Sequence, residues 1–174
     1  PSRHKDRRFT MKCRVLLMAG LASLISLGAA AGGYDAEMAA SYADLFKPAV
    51  AASTGKALHL IKPERLLKDL QAGNELIALD VRTPNESDLL RMTLPGSMQM
   101  PINEVFLTEN LDRIPQDKAV VVVCKSGTRA TAVGTGLRHI GFDNVYILKG
   151  GLMALSAHLN AKNANPPMPR VSAR

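Results

Sequence analysis

The sequence predicts an α/β domain, a parallel sheet with helices on both faces. Three observations carry this. Strand-like runs alternate with helical periods from residue 57 to residue 159, the order that builds a parallel sheet with helical crossovers. The strand runs are continuous, "LIALDV" at 76–81 and "AVVVV" at 119–123, as expected where both faces of a sheet are covered. The helical stretches also carry end signals. Thr83-Pro84-Asn85-Glu86 joins a capping box to a proline at the first helical position, and Gly73 and Gly141 stand just past helix ends.

The elements follow in order. Residues 1–31 read as an upstream extension and a secretory signal. Met11-Lys12-Cys13-Arg14 is a cationic start, Val15–Leu27 an apolar core, and Ala29-Ala30-Ala31 a cleavage pattern with the cut expected before Gly32. Met11 is the expected natural start. The mature protein is then exported, in a bacterium to the periplasm. The alternative is an uncleaved membrane anchor over residues 15–33. That span nearly reaches the roughly 20 apolar residues a crossing needs, but its last third is only Ala and Gly. Cleavage would remove Cys13 and leave Cys124 as the single thiol. An unpaired cysteine in an exported chain suggests a reactive thiol or an intermolecular partner.

Residues 32–56 form a linker. Met38, Tyr42, Leu45 and Phe46 recur at helical spacing up to Pro48, so a short amphipathic helix is expected, packed on the domain rather than docking a partner. The domain itself spans 57–159. Ala57–Ile61 reads as a first strand. A helix from Pro63 presents Leu66, Leu67 and Leu70. Leu76–Val81 is a buried strand, and a helix starts at Pro84. Pro95-Gly96 turns the chain into a short strand, Ser97–Met100. Ile102–Leu107 reads as helical and Ala119–Val123 as a strand. Arg129–Ile140 is a helix with Ala130, Val133, Leu137 and Ile140 on one face. Val145–Leu148 and Gly151–Leu159 are the last strand and helix. Residues 160–174 have the composition of a flexible tail.

The chain's 174 residues fit one domain with appendages. Hydrophobic residues are 47% but aromatics only 4%, so aliphatic side chains must fill the core. The net charge of +7 sits on the ends. Residues 1–14 hold six cations against Asp6, and residues 160–174 hold three cations and no acid, which leaves the span between them slightly negative. A nucleic-acid binder carries its basic patch on the folded body, so that class is set aside. The four histidines show no metal-ligand spacing, no nucleotide loop is present, and no cofactor or metal is expected. His139 reads as a helix-capping or surface residue.

The chemistry concentrates at "VVVVCKSGTR", residues 120–129. In parallel sheets ligands bind at the carboxyl ends of strands, and Cys124 stands at one. A tight turn entering a helix forms an anion-binding concavity of backbone N–H groups. The helix N-terminus adds positive potential, and Lys125 and Arg129 add full charges. Together these favour the thiolate, the nucleophilic form of cysteine. Gly127 supplies a residue free to take positive φ. The competing reading makes Cys124 a small hydrophobe that closes a valine strand. The C-x-x-G-x-R continuation favours the functional thiol.

Four stretches in order, "LDVRTPNE" (79–86), "LPGSMQMP" (94–101), "VVVVCKSGTRA" (120–130) and "NVYILKGGLMAL" (144–155), resemble the successive signatures of a single-domain rhodanese, a sulfurtransferase. The likeness covers roughly residues 57–159 and implies a five-stranded parallel sheet with helices on both sides. It also implies a chemistry. The cysteine takes a sulfane sulfur from thiosulfate or a persulfide donor, and a thiol or cyanide then removes it, in two half-reactions. The resemblance puts the nucleophile at Cys124 and the persulfide cradle on the N–H groups of Lys125, Ser126, Gly127, Thr128 and Arg129. Lys125 and Arg129 would attract a small anionic donor, and the hydroxyls of Ser126 and Thr128 would hydrogen-bond the outer sulfur. Asp80 and Arg82 would support the loop, or form a purely structural ion pair, Arg82 with Glu86. The acceptor is a thiol, on a small molecule or a protein.

The sequence departs from the family pattern at Met92-Thr93-Leu94, Gln99-Met100-Pro101 and Ala154-Leu155, all away from the cysteine loop. Related phosphatases place five residues between His-Cys and Arg. Here Val123 precedes the cysteine and four residues separate it from Arg129, which suits one sulfur atom better than a phosphoryl group. The remaining alternative is a non-enzymatic sulfur-carrier or interaction module.

Overall fold

Ala119–Val123 (β4) is the middle strand of a five-stranded, all-parallel sheet in the computed structural model, which describes residues 33–164. The chain divides into Pro1–Asp35 and a compact unit from Ala36 onward, and the fold is that of the second unit. The other strands are Leu60–Ile61 (β1), Leu76–Asp80 (β2), Met98–Gln99 (β3) and Val145–Leu148 (β5), in the order β1-β5-β4-β2-β3. The signal or anchor expected in residues 1–31 lies outside the described residues. Among the described residues, no helix is long and apolar enough to cross a membrane.

Successive side chains of a strand point to opposite faces, and the valine run feeds both layers. Val120, Val122 and Cys124 face Ala130, Val133 and Leu137 of the helix Thr128–His139 (α6). Val121 and Val123 face Leu66 of Pro63–Gln71 (α3) and Leu152 and Leu155 of Gly151–His158 (α7). Val120 to Val123 are each at most 1% exposed, so each side chain contributes roughly 1.5–3 kcal/mol of burial. The first layer is tightest at Gly134, where a Cβ would run into the Ile147 side chain.

Several expectations are corrected. Residues Thr54–Ala57 are a helical turn (α2), His59 takes φ 52°, and the first strand is only Leu60–Ile61. The apolar run 57–61 was too short to distinguish strand from helix by periodicity. Residues 102–107 form successive turns, with Glu104 N–H donating to Pro101 O, and the helix begins at Thr108–Leu111 (α5). The linker helix is Ala36–Phe46 (α1), but its stripe is not buried. Met38, Tyr42 and Phe46 are 55%, 36% and 42% exposed. It meets the body where Tyr42 stacks on His139 at 4.0 Å and Ser41 Oγ lies 3.2 Å from His139 Nε2. His139 is therefore a contact residue rather than a cap. In the tail, Ala161–Ala164 (α8) is helical, tied to α3 by the Gln71 side chain donating to Asn163 O. The rest of the tail lies outside the described residues.

Candidate active site

Cys124 stands one residue past β4, and the chain enters α6 four residues later. Gly127 caps α6 with φ 95°, a left-handed conformation that a side chain would strain. This turn folds the loop around the sulfur. Gly127 N–H donates to Sγ at 3.1 Å and Ala130 N–H at 3.4 Å. Both donors belong to the first turn of α6, where N–H groups have no intrahelical partner. The thiol is 1% exposed. Lys125, Ser126 and Thr128 are exposed around it, with the two hydroxyls 3.5 Å apart.

A second helix N-terminus holds the other side of the loop. In α7, Leu152 N–H donates to Cys124 O at 2.8 Å and Met153 N–H to Lys125 O at 3.0 Å. This needs backbone against backbone. A Cβ on Gly151, which has φ 59°, would press on the Cys124 carbonyl oxygen and stand 2.7 Å from Gly127 N and from Lys125 O. "KGG" at 149–151 is therefore a seat for the cysteine loop.

Arg129 turns to the helix Pro84–Leu89 (α4). Its two terminal nitrogens donate to the two oxygens of Glu86, both at 2.7 Å, a bidentate pair. Thr83 N–H holds Glu86 Oε2 at 3.1 Å and completes the capping box. The Arg129 hydrogen bonds, followed by those of Thr83, lower the Glu86 pKa from 4.5 to about 2. Glu86 in turn raises Arg129, and the nearby Cys124 adds to the rise.

Asp80 sits beside Val123 in register, so it lies next to the cysteine turn. It binds Arg82 through Nη2 at 2.6 Å and Nε at 2.9 Å, and accepts from Ser87 Oγ at 3.0 Å. Both partners are only 4% exposed. Arg82 also donates to the carbonyls of Glu86 and Leu90, which ties α4 to the end of β2. The expected ion pair of Arg82 with Glu86 is thus corrected. Arg82 takes the Glu86 carbonyl, and the Glu86 carboxylate goes to Arg129.

The structure gathers Cys124 and the loop 125–129 at one strand end, with Asp80 and Arg82 one strand away. Sequence reasoning missed the Ala130 N–H, Gly151 and Glu86. For Glu86 the sequence offers a capping box and a pair with Arg82, and the role missed is its pairing with Arg129. A cleft of about 570 Å³ adjoins the loop between α4 and α7, lined by Arg82, Glu86, Lys125 and Met153 among others. A roomier cleft of about 830 Å³ lies beside the strand starts at Leu76 and Ala119, away from the Cys124 end of β4, and its lining includes no cysteine. Among the described residues no group of His, Cys, Asp and Glu side chains is placed to hold a metal ion.

The rhodanese-like domain model matches residues 62–158, more than half of the chain. The chain belongs to the rhodanese-like domain family. Curated relatives that resemble this rhodanese-like domain include "Probable adenylyltransferase/sulfurtransferase MoeZ" of Mycobacterium tuberculosis. It is 32% identical over 62% of this chain and 26% of its own length. A sulfurtransferase of Allochromatium vinosum is 30% identical over 56% of this chain and 88% of its own. The chain thus spans about a quarter of MoeZ and most of the second relative. Among solved structures, RPA3614 of Rhodopseudomonas palustris, described as a "Possible Tyrosine Phosphatase", has a TM-score of 0.50 and 18% identity. The match covers 67% of this chain and 89% of that one. The human single-domain sulfurtransferase TSTD1 has a TM-score of 0.48 and 17% identity, over 59% of this chain and 98% of its own. At 18% identity the likeness to the Rhodopseudomonas palustris structure shows the fold alone. It is the α/β fold expected from sequence, a five-stranded parallel sheet with helices on both faces.

Proposed function

We infer that the chain is a sulfurtransferase that carries a sulfane sulfur on Cys124. The observation that carries this reading is the sulfur of Cys124 at 3.1 Å from Gly127 N and 3.4 Å from Ala130 N, at the mouth of α6. Backbone donors and a helix N-terminus stabilise a thiolate, and equally the negative charge of a persulfide. With thiosulfate, the thiolate attacks the outer sulfur. A Cys124–sulfur bond forms, the bond to the sulfonate sulfur breaks, and sulfite leaves with the electron pair. The product is the Cys124 persulfide anion. Lys125 draws the dianionic donor to the loop, Arg129 is held by Glu86 and braces the loop instead, and Ser126 and Thr128 offer hydroxyls to the outer sulfur. An acceptor thiolate or cyanide then removes that sulfur and restores the thiolate. The apolar run before residue 33 supports export, with a membrane anchor over 15–33 as the alternative.

The test is intact mass of the protein purified without reductant, before and after thiosulfate, and then after cyanide. The expected result is a gain of one sulfur atom that cyanide removes and that Cys124→Ser never acquires, with the fold of that variant unchanged. Arg129→Ala is expected to slow transfer and lower stability. An unchanged transfer rate in Cys124→Ser would overturn the mechanism. An accessible thiol that takes up sulfur from neither thiosulfate nor a persulfide donor would favour an interaction module. The same mass measurement on exported material reports whether residues up to 31 are removed.

A further inference from the structure

The cleft beside the cysteine loop continues into an apolar groove. The cleft lies between α4 and α7, and a cavity of about 330 Å³ extends it toward α3. The two share Leu90, Leu152 and Ser156, so they form one channel along α7. From Met153 to Leu159 that channel runs roughly 9 Å at 1.5 Å per residue. Its inner part is lined by Leu66, Leu70, Leu94, Leu155 and Leu159. Its rim carries Leu89 at 90% exposure, Leu90 at 58% and Met153 at 59%. Scattered apolar side chains on a surface are ordinary, but several around one groove beside a nucleophile form a patch of the kind that marks an interaction site.

The charges at the mouth choose the occupant. Glu86 is spent on Arg129, and Arg82 is spent on Asp80. On the groove wall, Arg91 is held by Asp88. Lys125 is exposed, and no carboxylate among the described residues pairs with it. The mouth therefore keeps one uncompensated positive charge next to an apolar trough. The outward rim matters as well. A small thiol inside the cleft would leave Leu89 and Met153 in water, whereas a polypeptide lying across it would cover them.

We propose that the sulfur acceptor is a partner protein, which lays an apolar segment with a cysteine beside an acidic residue into the α4–α7 groove. This rests on the sulfurtransferase reading above. The apolar side chains fill the leucine-lined trough, the acid pairs with Lys125, and the cysteine reaches the recessed Cys124 persulfide. The partner's thiolate attacks the outer sulfur. A new S–S bond forms on the partner, the Cys124–sulfur bond breaks, and its electron pair returns to Cys124 as thiolate.

The test uses the full chain and a capped synthetic peptide with one cysteine, an adjacent aspartate and leucines at alternate positions. Controls are the same peptide with serines for leucines, the same peptide with lysine for aspartate, and glutathione. Sulfur transfer from the loaded protein is followed by intact mass. The leucine-aspartate peptide is expected to discharge the persulfide at least about tenfold faster than its serine version or glutathione, the factor one buried leucine supplies. The double variant Leu89→Ser/Met153→Ser is expected to lose that preference while discharging to cyanide at the wild-type rate. Both side chains are exposed, so the variant is expected to fold. Rates for peptide and glutathione within twofold of each other, or a preference that survives the double variant, would overturn the proposal. Anisotropy of a labelled peptide with serine for its cysteine reads docking without sulfur chemistry. Saturable binding lost in the double variant supports the groove even if thiosulfate loads no sulfur, an outcome that would count against the donor half of the reading. Loading and cyanide discharge without any peptide binding or preference would sink the groove and leave the sulfurtransferase reading intact.

Discussion

Gly151→Ala is expected to damage the cysteine loop more than any other single methyl group, and Gly73→Ala supplies its control. Both positions have positive φ, 59° and 78°. For an L residue the left-handed region costs roughly 1–2 kcal/mol, and both variants pay it. They differ in space. A Cβ at Gly73 meets nothing within 4 Å. A Cβ at Gly151 meets backbone on three sides, the carbonyl oxygens of Cys124 and Lys125 and the nitrogen of Gly127. These atoms cannot swing away as a side chain tip can, so about 1–3 kcal/mol of overpacking is added. The totals are about 1–2 kcal/mol for Gly73→Ala and about 2–5 kcal/mol for Gly151→Ala, against a typical domain stability of about 5–15 kcal/mol. The relief available is for the start of α7 to move off the loop, which breaks the Leu152 and Met153 hydrogen bonds to the Cys124 and Lys125 carbonyls. Urea midpoints with matched slopes give the two energies. The alkylation rate of Cys124 in native buffer reports the loop and is expected to rise in Gly151→Ala only. Equal energies for the two variants, or an unchanged alkylation rate in Gly151→Ala, would refute the seating of the loop on α7.

Three further outcomes follow from the same geometry. Asp80→Ala leaves the Arg82 charge buried with only carbonyl partners, and a broken buried pair costs about 3–5 kcal/mol in chemical denaturation. Asp80→Leu/Arg82→Met is expected to cost less than Asp80→Ala alone, because no buried charge is then orphaned. The Glu86 carboxyl has its folded pKa depressed from 4.5 to about 2, so its contribution is fully present above pH 4.5 and is lost as pH falls toward 2. Glu86→Gln is therefore expected to be less stable than wild type at neutral pH, and to lose less of its stability across that window in urea titrations at stepped pH. Gly134→Ala is expected to cost about 1–3 kcal/mol by pushing α6 off Ile147, with little effect on the alkylation rate of Cys124.

What the sequence disclosed follows the range of the interactions involved. β4 and β5 were legible to the residue, because a buried parallel strand needs only an apolar run with clear ends. The capping box at Thr83 is likewise local, and α4 starts where it predicts. The failures are short or tertiary. Residues 57–61 hold too few positions for a period, and residues 102–107 close turn by turn without the continued bonding of a helix. The α1 stripe had the right spacing for a helix, but periodicity does not say whether a helix face is covered. At the site, Cys124 and its loop were visible because strand end, glycine and cations are contiguous. The pairing of Glu86 with Arg129 was not, since the two lie 43 residues apart and Arg82 is the nearer cation in sequence.

That long-range contact changes what Arg129 is for. A free arginine beside a thiol would act mainly as a charge. Here its fork is filled by Glu86, so the net charge it presents is small and its orientation is fixed. Glu86 is fixed by Thr83, Arg82 by Asp80, and Asp80 by its place beside Val123. The loop is thus braced from α4 through Arg129 and from α7 through the Cys124 and Lys125 carbonyls. The freely presented positive charge at the mouth belongs to Lys125 instead. It follows that the two cations separate by variant. Lys125→Gln is expected to raise the KM for an anionic donor and to leave stability within about 0.5 kcal/mol, as for surface changes. Arg129→Gln is expected to lower stability and kcat together. Steady-state kinetics with thiosulfate, paired with urea midpoints, distinguish the two. A loss of stability in Lys125→Gln as large as in Arg129→Gln would show that the bracing has been assigned to the wrong residue.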